Sequence, residues 1–345
     1  MPVAKMRALC SIFAAVALSG WAARADEVSD FYRGKTVTIV VGYSTGGGYD
    51  LQARALAKYW PKYIPGNPNV VVQNMPGAAS VVGANHVNNT SPRDGTVVGI
   101  YSDAMIIAPL MKVSGIQFDP RQFGWIGSLA SRPTPIIFVR SDAPAPTLEG
   151  ARQKENILGA LGPDATSTYA NLSNDMFGTK FKLVTGYKGG AEIHLAIARG
   201  EVHGRAGFDW PSLKRDHADW MRDKFVTVVV QMALERDADP DLKDVPVAMD
   251  LAKTDEDKKV LELVLGTARF QRAFSAPAGV PSARLEALRA SFKATMADPA
   301  FVSDMSKLSA NGVTYAAPQE FEAYMKAVYA YPTPVVERAS KYFSQ

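Results

Sequence analysis

Residues 42–50 read GYSTGGGYD, and they join an apolar run to a helical pattern. A junction of that kind bares main-chain N–H groups at a helix N-terminus, where the helix dipole also favours negative charge. Three chemistries could use it. Gly46-x-Gly48 starts a dinucleotide fingerprint, but Leu51 occupies the third glycine position and no phosphate-binding lysine follows. Gly42-Tyr43-Ser44-Thr45-Gly46 fits G-x-S-x-G, the strand-to-helix elbow of a serine hydrolase with Ser44 as nucleophile. That chemistry needs a histidine partner and earlier strands to carry an oxyanion loop. The histidines are His86, His194, His203 and His217, and the chain between Ala25 and Thr36 is too short for those strands. The third chemistry is capture, with Ser44 lending a hydroxyl and the glycines lending amides to a small anion.

Metal chemistry finds no support in the side chains. His194 and His203 form no H-E-x-x-H or His-x-His pattern, and the one cysteine, Cys10, stands near the N-terminus. Asp237, Asp239, Asp241 and Asp244 lack the sixth-position glycine and closing glutamate of a calcium loop, and read as a solvated turn. No Lys/Arg-rich run suggests nucleic acid as a partner. Neither a metal nor another cofactor is expected.

The elements that must position the loop alternate along the chain. TVTIVV (36–41), NVVVQN (69–74), TVVGIY (96–101), PIIFVR (135–140), KLVTGY (182–187) and FVTVVV (225–230) read as strands between turn residues. Leu51, Ala55, Leu56 and Tyr59 recur at helical spacing up to Trp60-Pro61, and Ala191–Arg199 does the same up to a capping Gly200. Further helices are expected over 285–296 and 321–329. Strands alternating with helices argue for largely parallel, helix-covered sheets.

Export is also legible. Lys5 and Arg7 precede an apolar stretch from Ala8 to Gly20, and Ala23-Arg24-Ala25 is a small-x-small site, which together predict a cleaved leader with the cut after Ala25. Of the 345 residues, 320 would remain, with no cysteine. The full chain carries 38 basic and 34 acidic residues; losing Lys5, Arg7 and Arg24 leaves 35 basic residues, so the mature net charge is close to neutral. A soluble, periplasmic protein is expected.

Five segments in order carry a family resemblance: Thr36–Asp50, VVQNMPGAASVVGANHV (71–87), SPRDGTVVGIYS (91–102), GYKGGAEIHLAIARGEVHG (186–204) and DVPVAMDL (244–251). Together they resemble the solute-binding receptors of the tripartite tricarboxylate transporter family, the Bug receptors. The resemblance implies a type II periplasmic-binding-protein fold, with two α/β lobes joined by two hinge crossings. It places residues 26–131 and 268–345 in one lobe and 132–267 in the other, with crossings near 118–135 and 266–277. It further implies no enzyme but a receptor, monomeric, that closes over a small carboxylate and passes it to a two-component membrane permease. A serine hydrolase using Ser44 and a stand-alone sensor or scavenger are the alternatives.

Carried over by motif, the first binding loop comprises Tyr43, Ser44, Thr45, Gly46 and Gly47. Asp50 is either a ligand contact or a first-turn acid placed for the helix dipole. Ser102 lies just past a strand end, where ligands sit in such sheets. The second loop falls in 159–172, with Gly162, Thr166, Ser167 and Thr168 as contacts. Arg132 offers a guanidinium to a carboxylate, and Tyr187 and Asp209 wall the second lobe. Two departures stand out. Asp164 occupies the second loop, where an acid would repel a carboxylate, and Gly42 replaces a common proline.

Overall fold

The computed structural model describes residues 27–129, 133–308 and 312–343; the expected leader, its cut after Ala25, and Arg132 lie outside them. Two five-stranded sheets carry the architecture. The first contains β1 (Thr36–Val41), β2 (Asn69–Asn74), β3 (Val97–Tyr101), β4 (Gly124–Ser128) and β10 (Ala273–Ala276), ordered β2-β1-β3-β10-β4. The second contains β5 (Pro135–Arg140), β6 (Asn156–Gly159), β7 (Phe181–Val184), β8 (Gly204–Asp209) and β9 (Val226–Gln231), ordered β7-β6-β8-β5-β9.

The two orders are one pattern used twice. β1 runs parallel to β2 and β3, as β6 does to β7 and β8. In each sheet the strand arriving from the other half inserts antiparallel: β10 between β3 and β4, β5 between β8 and β9. The chain leaves the first sheet at Ser128 and enters the second at Pro135; it leaves the second at Gln231 and re-enters the first at Ala273. This is the expected two-lobed α/β fold with two crossings.

Helices cover both sheets. In chain order they are α1 (Gly48–Tyr59), α2 (Val81–Asn89), α3 (Leu148–Gln153), α4 (Ala165–Phe177), α5 (Gly190–Arg199), α6 (Trp210–Asp216), α7 (Ala218–Arg222), α8 (Asp255–Leu265), α9 (Ser282–Met296), α10 (Pro299–Leu308), α11 (Pro318–Val328) and α12 (Thr333–Ser340). Helix α1 gives way to a 3-10 turn at Trp60–Lys62, because proline cannot continue the bonding ladder. Helix α5 ends on Gly200 in the left-handed region, φ 75°. A capping box between Thr254 and Asp257 starts α8.

The strands with a branched apolar run fall close to where the sequence places them; β1, β2 and β5 match residue for residue, whereas KLVTGY (182–187) is strand only as far as Val184. Four strands carry no such signal: GWIGS, NILG, GRAGFD and AFSA. Three of them, β6, β8 and β10, are interior strands, and β4 closes the edge of the first sheet. Between β8 and β5 a Cβ on Gly204 would meet the Phe138 carbonyl oxygen at 2.1 Å, so only glycine fits.

The C-terminal helices tie the halves together. Asp304 of α10 accepts from Lys58 and Tyr59 of α1 at 2.8 and 2.5 Å. Arg338 of α12 pairs with Asp257 of α8 at 2.7 Å. The tail then reaches α4 in the second lobe, where Asn171 donates to the Tyr342 carbonyl at 3.1 Å and the Tyr342 hydroxyl to Asp175 at 2.5 Å. Among the described residues, no helix is long and apolar enough to cross a membrane.

Candidate functional site

Loops from the C-terminal ends of β1, β3, β6, β7 and β8 converge on a cavity of about 620 Å³ between the lobes, the position where open α/β sheets bind ligands. Its first wall is the glycine loop. Asp50, 1% exposed, accepts from the Gly46 amide at 2.9 Å, the Arg54 Nε at 3.1 Å and the Asn74 Nδ2 at 3.0 Å. Asn74 also donates to the Tyr43 carbonyl at 3.0 Å and accepts from Thr45 at 3.2 Å. Burial pushes the Asp50 carboxyl up, but the donors from Arg54, Gly46 and Asn74 outweigh it and hold it below the usual range. Asp50 is therefore the clamp of the loop, and its side chain is spent on protein donors. Gly47 caps α1 with no side-chain acceptor, which leaves the first amides of the helix facing the cavity.

Gly42 has a local reason. A Cβ there would meet the Ser80 Cβ and Oγ at 2.6 Å. Ser80 sits in the left-handed region at φ 85° and accepts from the Ser102 amide at 3.2 Å, which brings the second and third strand loops against the first. Glycine at 42 makes room for that contact.

The opposite wall repeats the device. Gly189 caps α5, again with no side-chain acceptor, and Gly190 and Ala191 line the cavity. The lobes touch here: a Cβ on Gly189 would lie 2.0 Å from the Ser44 Oγ, and the Tyr43 hydroxyl donates to Asp164 at 3.4 Å. Asp164 is also the N-cap of α4, accepting from the Thr166 amide at 2.9 Å and the Thr166 hydroxyl at 2.5 Å. Asp209 caps α6 through Ser212 and accepts from the Thr134 amide at 2.9 Å.

Three arginines line the walls; Arg215 pairs with Asp216, and the other two stand at the helix starts. Arg205 of β8, 5% exposed, brings its Nη1 to 2.9 Å from where a Gly190 Cβ would stand; Arg272 brings its Nη2 to 3.2 Å from the same point on Gly48. Each guanidinium thus lies against the first residue of an uncapped helix, one in each lobe. Arg272 stacks on Tyr49, 4.4 Å to the ring centre, and its Nε is buried without a partner. Among the described residues neither guanidinium has a carboxylate within 4.0 Å. Burial pushes Arg205 down to about 10, against the opposing pull of Asp164 and Tyr43. Burial raises Asp103 to about 6, with Thr267 and Arg272 softening the shift and Asp164 adding to it; Asp164 is likewise raised by burial.

A histidine pair holds Arg205. Its Nη1 lies 3.2 Å from His194 Nε2, and His194 Nδ1 lies 2.8 Å from His217 Nε2. Arginine only donates, so His194 Nε2 accepts, its Nδ1–H donates, and His217 Nε2 accepts in turn. Burial, then Arg205 and His217, push His194 down to about 2, so it stays neutral. With both ring nitrogens engaged, His194 has none left to serve Ser44 as a base.

Of the residues expected from sequence, Tyr43, Ser44, Gly46, Gly47, Ser102, Thr166 and Asp209 line this cavity together. Thr45 is exposed beside it and Asp50 buried beneath it. Ser167 and Thr168 are buried in α4 with unpartnered hydroxyls, and Gly162, like them, is not part of the lining. Tyr187 lines a second cavity of about 680 Å³ beyond Tyr43 and Leu161, whose cations, Lys112 and Lys188, are exposed to water. The buried charges gather in the first cavity, and there the chemistry lies. Asp103, Arg205 and Arg272 escaped the sequence reading, and His194 was weighed there only as a hydrolase partner or metal ligand. Arg205 directly follows the matched segment 186–204, and that adjacency was its only signal.

No family model matches the chain. The protein described as "UPF0065 protein in gbd 5'region" of Cupriavidus necator is 29% identical over 204 residues, covering 56% of this chain and 60% of that relative's length. Solved structures share the fold along nearly the whole chain. The periplasmic binding protein BugD is 21% identical with a TM-score of 0.68, covering 90% of this chain and 98% of its own. MatC of Rhodopseudomonas palustris, with bound malate, is 19% identical with a TM-score of 0.64, covering 90% and 99%. A second R. palustris protein, solved with adipate, is 19% identical with a TM-score of 0.66, covering 89% and 97%. The resemblance read from the motifs is thus also a resemblance in fold.

Proposed function

We propose that this chain is a periplasmic receptor that captures a small organic carboxylate between its lobes and delivers it to a two-component permease of the tripartite tricarboxylate type. It acts as a monomer and performs no covalent chemistry. The observation that carries the reading is a pair of arginines with no carboxylate partner: Arg205 and Arg272 each face the bare N-terminus of a helix, one per lobe. A buried cation with no counter-charge costs about 3–5 kcal/mol when its partner is removed. A solute carboxylate would supply that partner, and the helix amides would supply further donors. Charge-assisted contacts made from both lobes exist only when the lobes are together, so the solute favours closure. The fold neighbours solved with malate and adipate support the class of solute, and the motif resemblance supports the permease.

A thermal-shift screen against mono-, di- and tricarboxylates, with malate and adipate included, tests the reading. A binder raises the melting temperature with the logarithm of its concentration. A panel in which no carboxylate moves the transition would overturn it.

A further inference from the structure

The buried carboxylates that line the cavity differ in the donors they receive. Asp164 accepts from the Thr166 amide and hydroxyl and from the Tyr43 hydroxyl. Asp209 accepts from the Thr134 amide and from the Ser212 amide and hydroxyl. Those donors support the ionised form of both. Asp103 opens the 3-10 turn Asp103–Ile106, lines the cavity and is 6% exposed. Its own amide and the Thr267 hydroxyl support it. That hydroxyl has a single hydrogen and also reaches the Val264 carbonyl at 3.2 Å, so its help is divided. Among the described residues no arginine, lysine or histidine nitrogen lies within 4.0 Å of the Asp103 carboxyl.

The surroundings bring a second carboxylate to this one. Arg272 pulls on Asp103 from beyond that distance, and the same guanidinium stands at the helix start that would receive the solute. The other titratable groups around Asp103 are Tyr49 of α1, Asp164 and Tyr169 at and within α4, and Tyr324 of α11. Burial holds all three tyrosines well above the usual phenol range, so none of them carries charge at neutral pH. A carboxylate seated on Arg272 therefore meets Asp103 as acceptor against acceptor and negative against negative. One proton resolves both conflicts, because two carboxylates that share a site do not both stay ionised.

We propose that the receptor takes up its solute together with one proton from solvent, carried by Asp103, which then donates a hydrogen bond to the solute carboxylate on Arg272 and gives the proton back to solvent when the solute leaves. The inference rests on the receptor reading above and adds the proton to it. In the unliganded receptor Asp103, raised by burial to about 6, is mostly ionised at pH 7. The arriving negative charge raises it further, so protonation accompanies binding. Affinity is then level below about pH 6 and falls as pH rises above it, by up to about tenfold per unit.

Titration calorimetry on the full mature chain tests this, with the mono-, di- and tricarboxylates of the thermal-shift screen, malate and adipate among them, as probes. Each is titrated at pH 7 in Pipes, Hepes and Tris, whose ionisation heats differ, so the apparent heat reports the protons exchanged. The parent should take up about half a proton or more per bound acid, and its affinity should drop about tenfold or more between pH 6 and pH 8. Asp103→Asn should take up none, change by less than about twofold over that range, and bind at pH 8 as tightly as the parent or tighter. Infrared difference spectra of the parent should show a protonated carboxyl gained on binding, a readout that needs no variant. An acid bound with no proton uptake and no such band, or uptake that persists in Asp103→Asn and so belongs to His217 or another group, overturns the proposal and leaves the receptor reading standing. If no acid binds at either pH, both fall.

Discussion

Closure can be tested at one methyl group. Gly189 lies at the lobe interface with φ −170° and ψ 163°, an extended conformation that alanine adopts without strain. Its added Cβ would meet the Ser44 Oγ at 2.0 Å, while the next atoms, Ser44 Cβ and N, stand at 3.4 and 3.9 Å. Ser44 escapes by turning its side chain, after which the 3.4 Å contact is ordinary. The penalty is therefore that of a displaced serine rotamer, about 0.5–1.5 kcal/mol. Because the contact exists only with the lobes together, the penalty falls on the closed, ligand-holding state. Gly189→Ala should weaken binding about 2- to 12-fold, mostly through faster release. The assay is calorimetry with stopped-flow dissociation, run beside Ser44→Gly and the double variant. In the Ser44→Gly background the methyl should cost nothing, which gives a coupling energy equal to the single-variant loss. Parent-like binding by Gly189→Ala, or an equal loss in both backgrounds, would refute the argument that this contact belongs to the binding state.

Arg205→Gln and Arg272→Gln should each weaken carboxylate binding by about 1.5–3 kcal/mol, or roughly 10- to 150-fold by calorimetry, since each removes a charge-assisted bond. Asp103→Asn should stabilise the unliganded protein at neutral pH. Its folded pKa, raised to about 6, means the folded state loses stability as pH rises from about 4 to 6, by about 3 kcal/mol. Melting curves of parent and variant should therefore converge near pH 4 and separate above pH 6. His194→Gln, which offers Arg205 a carbonyl acceptor, should bind within a few fold of the parent, whereas His194→Leu should lose about tenfold. If both lose equally, His194 is packing and does not position Arg205. His217 is also held below the usual histidine range, mainly by burial, with Asp216 and Asp219 opposing. Its neutral form is the native one, so the stability it confers declines as pH falls below about 6.5.

The fold was legible where strands carry branched apolar runs and helices carry caps. It was silent at β4, β6, β8 and β10, whose small residues answer to neighbouring backbones that a local window does not contain. The glycine loop announced a donor site because its chemistry is contiguous: bare amides follow directly from glycine at a helix start. Asp50 shows the limit of that logic, since its role depends on Asn74, which lies on another strand. The arginines were invisible for the same reason. Arg205 sits in a strand with no β signal, and Arg272 gains its place only when β10 returns to the first sheet. Asp164 did raise a question in sequence, as an acid where an anion was expected, and the structure buries it at the cavity with Asp103 and Asp209, all three without a cation partner among the described residues.

The most direct measurement is a crystal structure of the protein with the tightest-binding acid of the thermal-shift panel. The account requires a solute carboxylate within about 3 Å of the Arg205 or Arg272 guanidinium and of the amides at Gly190 or Gly48. A solute seated in the outer cavity by Lys112 and Lys188, with Arg205 and Arg272 still lacking a carboxylate partner, would contradict it.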